Sequence, residues 1–234
     1  MRPDLQRDLP PRYARSADEL LRDRFSRALA PGARVLDVGG GRRPVIPPEL
    51  RPEGCHYVGM DISGEELERS EPGAYDEKFV ADATKHVSEL EGRFDLIVSR
   101  WLLEHVKPLP LAFENFRSYL RPGGLFVATF SGRFSLFGLI NQLVPHRVAQ
   151  WAVHRFLGRS KDAVFPAYYH RCWYTAVQDM LRPWSGKEIY PLYIGARYFA
   201  FFRPLLKTYL AYENWTHRSK RRNLATHYLV AATR

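Results

Sequence analysis

"VLDVGGGRRP", Val35 to Pro44, is the stretch that decides the fold. A short run of branched apolar residues takes in Asp37, ends at Val38 and meets Gly39, Gly40 and Gly41 before two arginines and a proline. Such a run, closed by glycine, reads as a buried strand. The glycines after it can take positive φ and let the backbone approach a ligand where a Cβ would collide. The dinucleotide pattern Gly-x-Gly-x-x-Gly is not met, because its last position is Pro44, which disfavours a pyrophosphate on a following helix. No Gly-Lys-Ser/Thr follows either, so the P-loop pattern is absent.

Working outward, "ADELLRDRFSRAL" (17–29) has helical spacing and is stopped by Pro31-Gly32. Downstream, "HYVGMDIS" (56–63) and "EKFVADAT" (77–84) read as further strands. "FDLIVSRWLLEHV" (94–106) begins as a fourth strand and is expected to turn helical near Trp101. "PLAFENFRSYL" (110–120) is an amphipathic helix stopped by Arg121-Pro122-Gly123-Gly124, and "LFVATF" (125–130) is a fifth strand. After Phe130 the alternation is lost. "WYTAVQDML" (173–181) reads as a sheet-packing helix, and "KEIYPLYIG" (187–195) and "THYLVAATR" (226–234) as two closing strands.

Strands alternating with helices predict an α/β fold with a doubly wound, mostly parallel sheet of seven strands. A single domain over 1–234 is expected, with a ligand-binding core at 33–130. Residues 131–173 and 196–218 are expected to form an aromatic, basic helical cap over the strand ends.

Composition narrows the class. The chain of 234 residues is 45% hydrophobic, enough for one substantial core. No apolar run approaches the ~18 residues that a spanning helix needs. The N-terminal stretch is charged throughout and lacks the apolar segment of a secretion signal. Cys55 and Cys172 are the only cysteines, so neither a disulfide framework nor a cysteine-rich metal site is expected, and a cytoplasmic, reducing setting is the default. The net charge of +10 is uneven. Residues 1–130 carry 19 Lys/Arg and 21 Asp/Glu, whereas 131–234 carry 16 against 4, with 20 of the 32 aromatics. An anionic partner would therefore meet the C-terminal part, although a basic solvated face has the same composition.

The order and spacing of "VLDVGGG", "YVGMDIS", "ADAT", "FDLIVSRWLLEHV" and "LRPGGLFVATF" resemble the motifs of class I S-adenosylmethionine-dependent methyltransferases, over roughly residues 33–130. The resemblance implies a Rossmann-like methyltransferase fold and S-adenosylmethionine as cofactor. It implies Gly39, Gly40 and Gly41 as the cofactor turn, and Asp61, with Ile62 beside it, at the ribose hydroxyls. It places Asp82 and Ala83 at the adenine, Asp37 at the amino group, and the carbonyls of Ser99 and Arg100 at the same ammonium. An acid at a strand end also serves as a turn or cap residue; three at successive strand ends favour binding at the switch point of an open sheet. The sequence departs from the family where a third glycine is usual and Arg43 stands. Arg42 and Arg43 either face solvent or aim a guanidinium at the cofactor carboxylate.

Methyl transfer from a sulfonium is an in-line displacement, so alignment and exclusion of water matter most. A hydroxyl acceptor also benefits from a base, for which His105 and His170 are the candidates; either could equally serve packing. Tyr168, Tyr169 and Trp173 beside His170 are expected to wall the acceptor pocket. No metal site is expected, since acids and histidines lack tight spacing. Arginines among aromatics suit a sugar, a phosphorylated or lipid-linked glycan, or a nucleic acid. No RNA-binding module is recognisable, which puts nucleic acid last. Phe134, Phe137, Ile140, Val144, Val148 and Trp151 recur three or four apart amid cations, suiting either packing on the domain or a membrane interface. In outline the cap resembles that of methyltransferases acting on bacterial glycans or lipid-linked intermediates. O-methylation of a glycan or other small molecule, as in polysaccharide biosynthesis, is therefore expected. A membrane-associated lipid or quinone methyltransferase, an RNA methyltransferase and a non-catalytic cofactor-retaining module are the alternatives.

Overall fold

Chain direction reverses its march across the sheet at the strand carrying Asp37, and that reversal positions everything else. The computed structural model describes residues 9–143 and 166–234. Its strands are β1 (Arg34–Val38), β2 (His56–Asp61), β3 (Glu77–Val80), β4 (Phe94–Arg100), β5 (Leu120–Ser131), β6 (Ser185–Leu192) and β7 (His227–Thr233). They form one seven-stranded sheet in the order β3-β2-β1-β4-β5-β7-β6. β1 pairs in parallel with both β2 and β4, while β7 runs antiparallel to β5 and β6. The chain winds outward from β1 to β3 and then back past β1 to β4, which opens a crevice at the strands' C-terminal ends.

Alternation along the strands builds two apolar layers. Leu36, Val38, Val58, Ile97, Phe126 and Val230 pack on one face with Phe113 and Phe116 of helix α3 (Leu109–Tyr119). Val35, Tyr57, Leu96, Val98, Val127 and Leu229 pack on the other with Leu21 and Phe25 of helix α1 (Ala17–Ser26). Phe126 contacts the rings of Phe113, Phe116 and Trp184 at centroid distances of 5.5, 5.3 and 5.7 Å. Truncating such a ring costs about 3–5 kcal/mol.

The remaining helices are α2 (Gly64–Glu68), α4 (Leu136–Leu143), α5 (Tyr174–Met180) and α6 (Arg203–Arg218). Helix α1 ends three residues before the sequence pattern does. Its start is fixed by a capping box, in which Glu19 N–H donates to Ser16 Oγ at 3.2 Å and Ser16 N–H donates to Glu19 Oε2 at 2.6 Å. The helix expected near Trp101 does not form. Trp101 takes φ of 56°, which ends β4 abruptly, and only a 3-10 turn at Leu103–His105 precedes α3.

Helix α6 is tied down by one buried acid. Glu213 of α6 is 1% exposed. Its Oε1 accepts from Gly195 N–H at 2.7 Å and Thr226 Oγ1 at 2.9 Å, and its Oε2 accepts from the Tyr13 hydroxyl and, at 3.3 Å, from Arg12. One carboxylate thus joins the N-terminal segment, the turn before β7 and α6, beside the 3-10 turn Ala196–Phe199, which packs with Tyr13, Leu206 and Tyr209. Val144, Val148 and Trp151 of the amphipathic pattern, and the basic residues Arg147, Arg155 and Arg159, lie outside the described residues.

Candidate active site

The crevice is built first from backbone. Gly39 and Gly41 take φ of 77° and 51°, in the left-handed region that favours glycine. Gly40 lies against the sheet: a Cβ there would stand 2.8 Å from Asp37 Oδ2 and closer still to the Tyr75 hydroxyl. Asp37 is fully buried beneath this turn. Its Oδ2 accepts from Val45 N–H at 2.6 Å and from the Tyr57 hydroxyl at 2.7 Å, which pins the loop that follows the glycines. Burial pushes its carboxyl up to about 6, against the pull of Tyr57 and Val45. Among the described residues its Oδ1 has no partner, and neither has the Tyr75 hydroxyl. Two orphaned buried oxygens beside a turn that tolerates no Cβ mark a place for a polar ligand group.

The next strand supplies Asp61. Its Oδ1 accepts from Ser63 N–H at 2.9 Å, while Oδ2 stands 3.5 Å from the position a Gly41 Cβ would take. Burial raises its carboxyl, partly offset by the Ser63 N–H. Ile62 beside it is 66% exposed, an apolar side chain left open at the crevice rim. Asp82 follows β3, where Ala81 N–H donates to Asp61 O at 2.9 Å. Its Oδ1 is taken by Thr84 N–H and Oγ1 at 2.9 and 2.8 Å, an Asx turn. Ala83 is buried and its carbonyl accepts from Asn115 at 2.9 Å, tying this edge to α3. Ser99, buried at the end of β4, donates to Val38 O at 3.0 Å and so clamps β4 to β1. Arg100 lowers the Asp37 carboxyl electrostatically and stands 3.9 Å from Asp18 of α1. All ten residues assigned to the cofactor therefore gather at the C-terminal edge. Arg42 does something else: it makes a bidentate pair with Glu66 of α2 at 2.8 and 2.5 Å, holding the glycine turn to its neighbouring helix. Arg43 is exposed.

The residues assigned to the acceptor form a second group, after β4. The backbone N–H groups of Tyr168 and Tyr169 both donate to Glu104 O at 2.9 Å, which docks that segment against the β4 exit. Tyr168 is half-exposed and Tyr169 buried. His105 Nδ1 lies 3.0 Å from Pro166 O, and His170 Nδ1 accepts from Leu109 N–H at 3.2 Å, capping α3. Trp173 packs on Phe134 with centroids 5.2 Å apart. Both histidines thus hold backbone.

A third group was not legible in the sequence. Trp101 Nε1 donates to Asp18 Oδ1 at 3.2 Å, and its ring meets that of His227 edge-on at 4.8 Å. The Tyr198 hydroxyl lies 3.3 Å from His227 Nε2. His227 opens β7 opposite Ser131, and burial holds its imidazole near 3, so it stays neutral. Glu104 accepts from Ser131 N–H at 3.3 Å through Oε1, and burial raises its carboxyl. Buried atoms without a partner among the described residues recur here: Glu104 Oε2, Thr129 Oγ1 and His227 Nδ1. The available signal was a histidine heading an otherwise apolar strand. Among the described residues, no group of three His, Cys, Asp or Glu could hold a metal, and no helix is long and apolar enough to cross a membrane.

Known proteins match this architecture. The family profile described as "Methyltransferase domain" matches residues 10–178. A ubiquinone biosynthesis O-methyltransferase of Chelativorans sp. is 32% identical over 113 residues, which is 46% of this chain and 44% of that protein. One from Brucella melitensis biotype 2 is 28% identical over the same length, 46% and 45% of the two chains. The matched stretch thus spans less than half of these curated relatives. Among solved structures, phosphoethanolamine N-methyltransferase 2 of Haemonchus contortus, in complex with S-adenosyl-L-methionine, superposes with a TM-score of 0.54 at 14% identity, over 93% of this chain and 52% of that one. Geranyl diphosphate C-methyltransferase of Streptomyces coelicolor, bound to S-adenosyl-L-homocysteine, gives 0.55 at 13%, over 92% and 76%. At these identities the structural likeness speaks for the fold.

Proposed function

Because the chain belongs to the methyltransferase-domain family, we propose that it transfers the methyl group of S-adenosylmethionine to an oxygen of a small ring acceptor. The observation that carries this is the cradle at β1, where a turn that admits no Cβ covers a buried Asp37 with an unspent oxygen. That oxygen suits the amino group of an amino acid. Asp61 Oδ2, one strand over, suits a pair of ribose hydroxyls, and Ile62 offers an apolar face to the adenine. The Ser99 and Arg100 carbonyls complete the ammonium site, and Asp82 and Ala83 border the base.

When bound, the cofactor supplies a sulfonium methyl: the acceptor oxygen's lone pair forms the new O–C bond as the C–S bond breaks and its electron pair stays on sulfur. The chain's part is to align and to exclude water. The Ser99 clamp fixes β1 against β4, so the cofactor end and the acceptor end keep one spacing. Arg42 and Glu66 hold the glycine turn closed on Asp61. The acceptor's hydroxyl proton is lost to bulk solvent once the methyl group is transferred.

The relatives' printed name supports an oxygen acceptor of the quinone-precursor kind over the glycan that the sequence suggested. Peripheral membrane contact fits such an acceptor if it is lipid-linked. The test is calorimetric titration with S-adenosylhomocysteine. Wild-type protein should bind, and Asp61→Ala should bind more weakly by about 1.5–3 kcal/mol, the worth of a charged hydrogen-bond partner. Unchanged affinity would remove Asp61 from the site.

A further inference from the structure

Two glycines make room for one tyrosine. Tyr75 stands in the turn between α2 and β3. A Cβ on Gly59, midway along β2, would meet its ring at 2.6 Å, and one on Gly40 would strike its hydroxyl. The chain on either side of Tyr75 is pinned. Ala74 O accepts from Arg51 Nη2 at 2.6 Å. The Tyr57 N–H donates to Asp76 Oδ2 at 2.7 Å, and the Asp76 N–H donates to Tyr57 O at 2.8 Å. The Arg51 guanidinium lies 3.7 Å from the centre of the Tyr57 ring, which stacks on the Tyr75 ring at 5.9 Å. A cation and two rings thus form a column that ends under the cofactor turn.

The two tyrosines end differently. The Tyr57 hydroxyl is spent: it donates to Asp37 Oδ2 at 2.7 Å and accepts from Ile46 N–H at 3.0 Å. Tyr75 is 8% exposed, yet its hydroxyl has no partner among the described residues, and Asp37 Oδ1 has none either. Native folds rarely leave buried polar atoms unpaired. Here two such groups adjoin, since the Tyr75 hydroxyl and the Asp37 carboxylate both lie within 2.8 Å of the point a Gly40 Cβ would take.

We propose that Tyr75 is a binding residue for the amino-acid end of the cofactor, its hydroxyl oxygen accepting from the same ammonium that donates to Asp37 Oδ1. The assignment rests on the methyl-transfer reading above and adds a side chain that lies at no strand's C-terminal end. The charges facing the hydroxyl decide the sign of the group. Burial raises the phenol's pKa most, then Asp37 and Asp61, while Arg51 and Arg100 pull the other way. The phenol therefore stays neutral, and the two carboxylates outweigh the two guanidiniums, which favours a cation over the cofactor's carboxylate. A neutral oxygen also meets an ammonium without adding a second buried charge beside Asp37. The middle glycine of the turn is thus required by Tyr75: any side chain at position 40 would take the place of the hydroxyl.

The experiment is calorimetry on wild type and Tyr75→Phe, which keeps the ring and the column. Each is titrated with S-adenosylhomocysteine, with the analogue in which hydrogen replaces the amino group, and with the analogue in which hydrogen replaces the carboxylate. Tyr75→Phe should bind S-adenosylhomocysteine about ten- to a hundredfold more weakly, the share of a hydrogen bond to a charged group. It should lose as much for the analogue without the carboxylate and nothing for the analogue without the amino group. Ligands are compared within each protein, so a change in fold stability cancels. Without ligand the variant should melt at or above the wild-type temperature, because the hydroxyl it lacks was unpaired. A lower melting temperature would show the hydroxyl already spent in the free protein and overturn its assignment. An equal loss for the analogue without the amino group would reduce Tyr75 to a support of the turn, and a loss confined to ligands bearing the carboxylate would overturn the ammonium. Tyr75→Phe binding S-adenosylhomocysteine like wild type would overturn the assignment and leave the transferase reading standing. Failure of the wild type to bind S-adenosylhomocysteine would overturn that reading, and this assignment with it.

Discussion

Replacing Asp37 by asparagine should make the protein more stable at pH 8 and weaken its hold on the cofactor. The carboxyl is pushed from an ordinary 3.8 up to about 6 by burial. At 1.36 kcal/mol per tenfold in proton affinity, keeping it ionised in the fold costs about 3 kcal/mol at pH 8. The sign follows from the raised value: the folded state binds the proton more tightly, so stability rises as pH falls through about 6. Roughly 1.4 kcal/mol is regained by pH 5. Asparagine offers one oxygen to Val45 N–H and the Tyr57 hydroxyl, as Oδ2 does now at 2.6 and 2.7 Å. Its amide nitrogen falls where Oδ1 is unpartnered. The new orphan donor and the weaker acceptor return part of the gain, leaving about 1–2 kcal/mol at pH 8. Urea melts of both proteins at pH 5 and pH 8 measure this directly, with S-adenosylhomocysteine titrations alongside. The variant should gain more at pH 8 than at pH 5 and should bind the cofactor product at least tenfold more weakly. A gain independent of pH, or a loss at pH 8, would refute the argument.

Gly40→Ala should destabilise by about 1–3 kcal/mol, the range for overpacking, because its Cβ meets Asp37 and the Tyr75 hydroxyl; thermal melts check it. Glu213→Gln should cost about 3–5 kcal/mol, as when one partner of a buried charged network is removed. Limited proteolysis should then cut first in the Ala196–Arg218 region, whereas a protein that melts and digests like wild type would show that the carboxylate's bonds are dispensable. Asp61→Ala should leave the melting temperature near wild type in the absence of cofactor, since the carboxylate's bonds to the backbone N–H groups around it are offset by the cost of its burial, and should abolish most of the stabilisation given by added S-adenosylhomocysteine.

The sheet was legible because its signals are local. β1, β2 and β4 are short apolar runs buried on both faces, and the glycines after β1 announce the turn whatever the tertiary context. The three acids proposed for the cofactor lie at strand ends for the same reason, Asp37 one residue before the end of β1, Asp61 closing β2 and Asp82 two residues past β3. The group around His227 was not legible, for physical reasons that particular residues make plain. His227 and Trp101 are 126 positions apart in the chain, and only the antiparallel insertion of β7 beside β5 brings them to 4.8 Å. Asp18 reaches Trp101 only because α1 docks on the sheet. His105 and His170 drew notice because histidine is the commonest base. Their neighbours turned out to be a backbone carbonyl and a helix N–H, partners that no spacing in the sequence reveals.

The account stands most directly on where a labelled methyl group goes. Purified protein would be incubated with methyl-labelled S-adenosylmethionine and fractionated lysate, and the products separated by mass and by partition into organic solvent. The account predicts label in a low-mass product that extracts into the organic phase, with Asp61→Ala reducing it. Label in a nuclease-sensitive polymer or a carbohydrate fraction, or tight cofactor binding with no transfer to any fraction, would contradict it.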